Sequence, residues 1–532
     1  MRTLGRFSIP WSASGWIRGN RRLVVLYLIG VLASALLTLP IIPPPFSQDW
    51  LRRPLADDAY YYLVIARNVA GGRGITIDGL PTSGFQPLYL MVCWIVGSIA
   101  AWSPIAVPMA VTVVNWVLHN ALGTWLVHRL WSALHPEHRG QAIGLLAPFL
   151  WLVNPSGQSM SLNGMESTLG LLSWLTVALA ITRRGFFPNT TRSSITIGLA
   201  LGIAFLTRND AVVLAAGYAI VSGGLLLESS DSGVERLSAR NAYRSVLITL
   251  GAALCCAIPW LTYNGAAVGS PIPQGGRAEM RGGIYDFGRA YQLEMVGEAM
   301  VRDLSPLPLP LGRLAANIRA PALLALLGTI LGVVLLVLKF GRASFRRICA
   351  LLLSSILLLA AVYATLFGAG HMARRWLAPC IVLGVLVIAE AMDLLLIHRR
   401  TLARAALPAL VVLLVAGRVG WIFVETSREF PTNTWGILQY VRDHEVPGPI
   451  GAFQSGLLSW ILPDVINLDG KTNPEALRAF SLGRFGSWLA ASRVDCVVDT
   501  NLLGTDNDPT IRSTFRVVRT PEGIILLQRK HQ

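Results

Sequence analysis

Two adjacent carboxylates, Asp57 and Asp58, open the run DDAYYYLVIARNVAGGRG. Just outside a lipid surface, such a pair can act as a general base or hold a divalent cation, magnesium or manganese, near a phosphate. Acidic residues at a helix start also have a plain structural reason, because they oppose the positive end of the helix dipole. The helical stretch that follows carries Tyr61, Ile65 and Val69 on one face, and Gly71, Gly72, Gly74 and Gly79 then make a tight turn. That glycine spacing lacks the strand–helix unit of a nucleotide-binding loop. Farther along, Arg208 with Asp210, His371 with Arg374 and Arg375, and Asp469 with Lys471 occupy short polar turns. Arginine suits oxyanions because its planar fork bonds two oxygens at once. The plainer alternatives are an ion pair for Arg208 and Asp210, and snorkelling toward lipid headgroups for Arg374 and Arg375. Glu166 opens an apolar stretch, where an unpaired charge is costly; it either binds a substrate hydroxyl or satisfies the first amides of a helix. Tyr60 to Tyr62, Phe85 and Trp376 read as interface-belt aromatics. Asn115 and His119, inside an apolar run, read as polar ties between helices.

The elements that must position these groups are mostly membrane spans. The chain has 532 residues, 53% hydrophobic and 14% charged, with a mean hydropathy of +0.54. Ordinary globular chains carry about a quarter charged residues, so lipid is the natural solvent for the excess. The formal charge of +16 forms no single patch, and its placement in short clusters between apolar runs reports topology rather than nucleic-acid binding. Six cysteines show no metal or disulfide spacing. Apolar runs suggest spans near 23–42, 105–128, 141–153, 165–182, 194–207, 211–227, 245–262, 321–338, 349–367, 377–397 and 403–424.

Charge parity decides the remaining run, Leu88 to Trp102. If it does not cross, the clusters at Arg129–Arg139, Arg183/Arg184/Arg192, Arg236/Arg240/Arg244, Lys339/Arg342/Arg346/Arg347 and Arg399/Arg400/Arg404 share the N-terminal side, as the positive-inside rule requires. The reading is an α-helical polytopic membrane protein of about eleven spans over residues 1–424, its first span retained rather than cleaved. Outer loops cover about 43–104 and 263–320, and a small α/β domain at 425–532 lies on the same outer side. Its strands are expected near 448–453, 465–468, 495–499, 515–518 and 523–528, with helix across 473–492. The outer domain and the arginine-rich composition favour a bacterial plasma membrane, with the N-terminus cytoplasmic.

The first outer loop resembles that of the C-type glycosyltransferase superfamily (GT-C), which includes protein O-mannosyltransferases, aminoarabinose transferases and arabinofuranosyltransferases. Related chains read roughly D-D-A-aromatic, then G-x-G, then T-[NS]-G-[FY]-x-P-L. Here those stretches are Asp57-Asp58-Ala59-Tyr60 and Thr82-Ser83-Gly84-Phe85-Gln86-Pro87-Leu88, with Gln86 where His is often found. Similar family turns follow in order: Asn163-Gly164-Met165-Glu166-Ser167-Thr168; Leu206 to Asp210, with Asn209 replacing a proline; Tyr263-Asn264 and then Gly269 to Gln274; His371 to Pro379; and Asn467 to Asn473.

The resemblance implies a sugar donor carried on a polyprenyl phosphate and an acceptor hydroxyl on a glycan, lipid or protein. Asp57, or second Asp58, is then the base. Arg208, His371, Arg374, Arg375 and Lys471 are the candidates for the leaving phosphate, and Gln86, Glu166, Asp210, Asn264, Gln274 and Asp469 complete the substrate site. Metal dependence stays open. The alternatives are a lipid or solute transporter or flippase, an oligosaccharide ligase using a diphosphate-linked donor, and a non-catalytic scaffold.

Overall fold

The computed structural model describes residues 43–52, 55–138, 142–231, 236–304, 339–398 and 433–530, with isolated helical positions elsewhere. The expected spans at 23–42, 321–338 and 403–424 lie outside these residues. Asp57–Ala70 forms α1 and Pro87–Ile99 forms α2. Between them the glycine-rich turn holds a two-residue-per-strand hairpin, β1 (Thr76–Ile77) against β2 (Leu80–Pro81). Helix α2 has 13 residues, about 20 Å at 1.5 Å per residue, well short of the ~30 Å hydrocarbon core. Its length therefore agrees with the non-crossing assignment of Leu88 to Trp102.

Among the described residues, five helices are long and apolar enough to cross a membrane: α3 (Ala106–Leu134), α6 (Asn209–Glu228), α7 (Ala239–Val268), α8 (Ala343–Leu366) and α9 (Cys380–Ile397). Two further helices, α4 (Ser167–Arg184) and α5 (Thr191–Thr207), pack among them. Leu247, Leu254 and Ile258 on α7 are 69%, 56% and 49% exposed. Large aliphatic side chains bared in that number on one helix are costly in water, and lipid removes the cost. On α3, Asn115 ties neighbouring elements through Tyr89 Oη at 2.8 Å and the Met165 carbonyl at 3.2 Å.

Residues 433–530 carry a five-stranded mixed sheet. Its strands are β3 (Ile450–Ala452), β4 (Val465–Asn467), β5 (Cys496–Asp499), β6 (Phe515–Arg519) and β7 (Ile525–Arg529), in the order β4-β3-β5-β7-β6. The β3 strand pairs parallel with β4 and β5, whereas β7 pairs antiparallel with β5 and β6. Each short apolar run read as a strand holds one. The expected helix over 473–492 is two helices, Pro474–Ser481 and Phe485–Ala491, because Gly483 adopts a φ of 63° that a continuing helix does not allow.

One apolar core joins the first loop to this tail. Tyr60, Tyr61, Tyr62, Leu63 and Phe85 pack in the same cluster as Trp435, Leu458 and Trp460. The interface-belt reading of the aromatics is therefore corrected. Tyr60, Tyr61, Tyr62, Phe85 and Trp376 are all buried, none more than 4% exposed, because the tail covers α1 and Trp376 stacks on Tyr363 at 4.1 Å.

Candidate active site

Consecutive residues on a helix point about 100° apart, and this separates the two aspartates. Asp57 turns to the tail. Its Oδ2 accepts from Gly456 N and its Oδ1 from Leu457 N, both at 2.9 Å, at the start of α10 (Gly456–Ile461). Ten residues on, Arg67 donates to the carbonyls of Trp460 at 2.9 Å and Ser459 at 3.1 Å, at the other end of α10. A carboxylate at the N-terminus and a guanidinium at the C-terminus complement the α10 backbone charges, so α1 grips this helix at both ends. A second first-loop carboxylate, Asp78, accepts from Asn467 N at 2.7 Å.

Asp58 turns the other way, into a cavity of ≈ 420 Å³. Its carboxylate lies 2.9 Å from Arg375 Nη1 and 3.3 Å from Lys471 Nζ. The shared cation site expected of the pair does not fit this arrangement. One carboxylate is used by backbone amides and the other by two side-chain cations, so they offer no common set of free oxygens. Burial pushes the Asp57 carboxyl up to about 7 despite its two amide donors. Burial acts on Asp58 too, but Lys471 and Arg375 outweigh it and hold that carboxyl well below its ordinary range.

Lys471 is delivered by the turn after β4. Gly470 has a φ of 71°, and Asp469 Oδ1 accepts from Lys471 N at 2.9 Å. Asp469 Oδ2 accepts from Tyr285 Oη at 3.1 Å. Lys471 also faces Glu279, 3.5 Å from Oε1. The Lys471 backbone presses on the first loop at Gly84, where an added Cβ would lie 2.0 Å from the Lys471 carbonyl oxygen. Gly84→Ala is accordingly expected to displace Lys471, costing about 1–3 kcal/mol of stability as an overpacked contact. Thermal unfolding of wild type and variant checks this.

Arg375 sits on the short helix Ala373–Trp376. Its Nη1 meets Asp58, while its Nε is buried without a hydrogen-bond partner. Arg208 differs. Its Nε and Nη2 pair with Asp210 at 3.1 and 2.5 Å, and its Nη1 with Glu166 at 2.8 Å. All three of its nitrogens are engaged, so Arg208 is the ion pair the simpler reading anticipated, extended by Glu166. Tyr62 donates to Glu166 Oε2 at 3.0 Å and Tyr363 to Asp210 Oδ2 at 2.7 Å. Glu166 makes no capping bond to its helix, which removes that alternative. Arg208 can lie along α4 because a Cβ at Gly170 would stand 2.6 Å from its Cδ.

The cavity wall thus brings together Asp58, Gln86, Glu166, Arg208, Asp210, Arg375 and Lys471 of the expected residues. Gln86 accepts from Asn209 N at 3.1 Å. Gln274 instead locks the first loop, its Oε1 accepting from Thr82 Oγ1 and Ser83 N, and Asn264 holds the turn at Pro271. Arg374 is exposed and does not line this cavity, nor does Asp57. His371 lines a separate aromatic cleft with Tyr285, Phe287 and Phe453. Glu279, Tyr62 and Tyr363 line the cavity without having been expected there. Glu279 ends the short helix Gln274–Glu279 with no neighbouring pattern to mark it, and only its approach to Lys471 does so.

The burial of Asp57 and Asp78 has a pH consequence. Both carboxyls are pushed to about 7, first of all by burial. A carboxyl held higher in the folded chain stabilises it fully below the ordinary range and loses that contribution as pH rises to and through the folded value. The melting-temperature difference between wild type and Asp57→Asn should therefore shift against wild type from pH 5 to pH 8. A difference that is flat with pH would contradict the assignment.

The fold as a whole is similar to those of solved structures over nearly the full length of this chain. No protein-family model and no curated protein matches the sequence. Among solved structures, the archaeal oligosaccharyltransferase AglB from Archaeoglobus fulgidus, in complex with an inhibitory peptide and a dolichol-phosphate, is similar over 97% of this chain and 75% of its own. Its TM-score is 0.54 and its sequence identity 11%. ArnT from Cupriavidus metallidurans bound to undecaprenyl phosphate is similar over 97% of this chain and 98% of its own, with a TM-score of 0.54 and 13% identity. Its apo form gives 0.53 and 14%.

Proposed function

We propose that this chain is an inverting glycosyltransferase that moves a sugar from a polyprenyl-phosphate donor to an acceptor hydroxyl at the outer face of the membrane. The observation that carries the reading is Asp58 in the cavity, held by Arg375 and Lys471, with Arg375 Nε buried and unpartnered beside them. Before the donor binds, the Asp58 carboxylate occupies the two cations that a phosphate would take. When the donor phosphate takes Arg375 and Lys471, Asp58 loses the charges that hold its proton affinity down, and its burial then raises that affinity. It becomes the base.

The acceptor hydroxyl gives its proton to Asp58 as its oxygen bonds to the anomeric carbon. The bond from that carbon to the phosphate oxygen breaks, and its electron pair leaves with the lipid phosphate. Arg375 and Lys471 stabilise the charge that develops there. Glu166, Arg208 and Asp210 form a fixed wall that Tyr62 and Tyr363 brace. Asp57 becomes a docking residue rather than the base. The topology that accompanies this reading has about eleven spans, with residues 1–424 as the membrane domain, residues 425–532 outside, and the N-terminus in the cytoplasm of a bacterial plasma membrane.

The test uses purified protein in detergent, where vectorial transport has no meaning. Release of free polyprenyl phosphate and labelled product from a panel of polyprenyl-phosphate sugars supports the transferase. Absence of turnover with every donor sinks it in favour of transport. The similarity to AglB favours one second reading, a ligase using a diphosphate-linked oligosaccharide, and competition between monophosphate and diphosphate donors separates the two.

A further inference from the structure

At the far end of the helical layer from the cavity, four side chains with metal-binding atoms converge. His135 and His138 follow α3 as His-Pro-Glu-His, and Glu390 and Asp393 lie on α9 as Glu-Ala-Met-Asp. Residues three apart on a helix share a face, so α9 presents both carboxylates together. His135 Nε2 is 2.8 Å from Glu390 Oε2, and His138 Nε2 is 2.8 Å from Asp393 Oδ1. The two imidazoles lie nearly parallel, their centroids 5.5 Å apart. His135, Glu390 and Asp393 are buried, at 0%, 1% and 2% exposure.

The short distances are not hydrogen bonds. His135 Nε2, Glu390 Oε2 and both nitrogens of His138 have no hydrogen-bond partner. Buried polar atoms left this way are costly, and ligand atoms of His135, Glu390 and Asp393 lie within 4.8 Å of one another, close enough to share one ion, with His138 Nε2 against Asp393 at the edge. We propose that His135, His138, Glu390 and Asp393 bind a divalent transition-metal ion, zinc for preference, at a site distinct from the reaction cavity. Two imidazoles and two carboxylates are an N₂O₂ set suited to zinc, whereas calcium and magnesium favour oxygen alone.

His135 Nδ1 lies 3.5 Å from Glu137 Oε1 and 2.7 Å from Arg342 Nη1. Arg342 can only donate, so Nδ1 accepts from it in this arrangement, and coordination through Nε2 would move the ring proton to Nδ1 and turn it from Arg342 to Glu137. Arg342 keeps its own contact with Glu137. Asp393 is thirteen residues past the start of α9 at Cys380, about 20 Å along the helix axis, so the ion would take no part in chemistry at Arg375. It would instead clip the end of α3 to α9 and, through Glu137 and Arg342, to the start of α8.

The experiment uses tag-free full-length protein in detergent, stripped with a chelator and re-equilibrated with zinc chloride or cobalt chloride alone. The expected result is one zinc per chain by elemental analysis, a zinc-dependent rise in melting temperature that magnesium does not give, and ligand-field bands of low-symmetry four-coordinate cobalt. The double variant Glu390→Gln/Asp393→Asn should lose the bound metal. Should that variant fold poorly, His138→Gln provides the same comparison at the partly exposed edge of the cluster. Wild type that takes up no stoichiometric zinc, or variants that take up as much as wild type, would overturn the proposal. The cluster would then be two metal-free histidine–carboxylate pairs.

Discussion

Asp58→Asn is expected to lose sugar transfer by about 10²–10⁴-fold while binding free polyprenyl phosphate more tightly than wild type. The opposite signs follow from its partners. Asp58 is the proposed base, and it also competes with the lipid phosphate for Arg375 and Lys471, from which it is 2.9 and 3.3 Å away. Asparagine cannot accept the acceptor's proton, and it releases both cations to the ligand. Measuring the two quantities on one preparation separates this role from a structural one. A residue that merely shapes the site would lose binding and turnover together, and a variant that keeps full transfer would remove Asp58 from the chemistry. Asp57→Asn serves as the contrast, since its carboxylate bonds to Gly456 and Leu457 amides. It should lower stability by about 1–3 kcal/mol before it touches the reaction.

The second large effect is expected at Arg375. Arg375→Ala should lower kcat/KM by about 10²–10³-fold, and Arg375→Lys should recover little of the loss. The guanidinium bonds Asp58 through Nη1 and leaves Nε buried without a partner beside it. A phosphate can therefore be held by two parallel donors, which an ammonium at the end of a flexible stem does not reproduce. Arg208→Lys tests the division of labour among the cations. Its three nitrogens are already engaged by Glu166 and Asp210, so its loss should appear chiefly as lower thermal stability. Steady-state kinetics against donor concentration, alongside melting curves, distinguishes the two arginines.

Much of this arrangement was legible in the sequence. The order of the motifs announced that Asp58, Glu166, Arg208, Arg375 and Lys471 would meet although they are scattered along the chain, and all five line one cavity. The alternation of apolar and turn residues marked the five strands of the tail. What stayed hidden has a common physical origin. Adjacency in sequence made Asp57 and Asp58 look like a pair, yet helix geometry sends them to different neighbours, and only the three-dimensional partners reveal which one lines the cavity. The tyrosines of α1 resembled membrane-surface aromatics because nothing in their own segment shows that the tail will cover them. Glu279 escaped for the same reason, its significance arising from a lysine that comes much later in the chain.

Helix α1 grips α10 with Asp57 and Arg67, and the very next residue after Asp57 enters the cavity. The proposed base and the docking carboxylate therefore share one rigid turn of backbone, and Lys471 arrives from the docked side. An exchange of tails between related chains, however well each half folds, would misplace two of the three charges at the reaction centre by whatever error the new joint contains. The two parts of the molecule are thus poor candidates for modular recombination. Changes of acceptor preference would be expected to accumulate through point substitutions around an inherited joint.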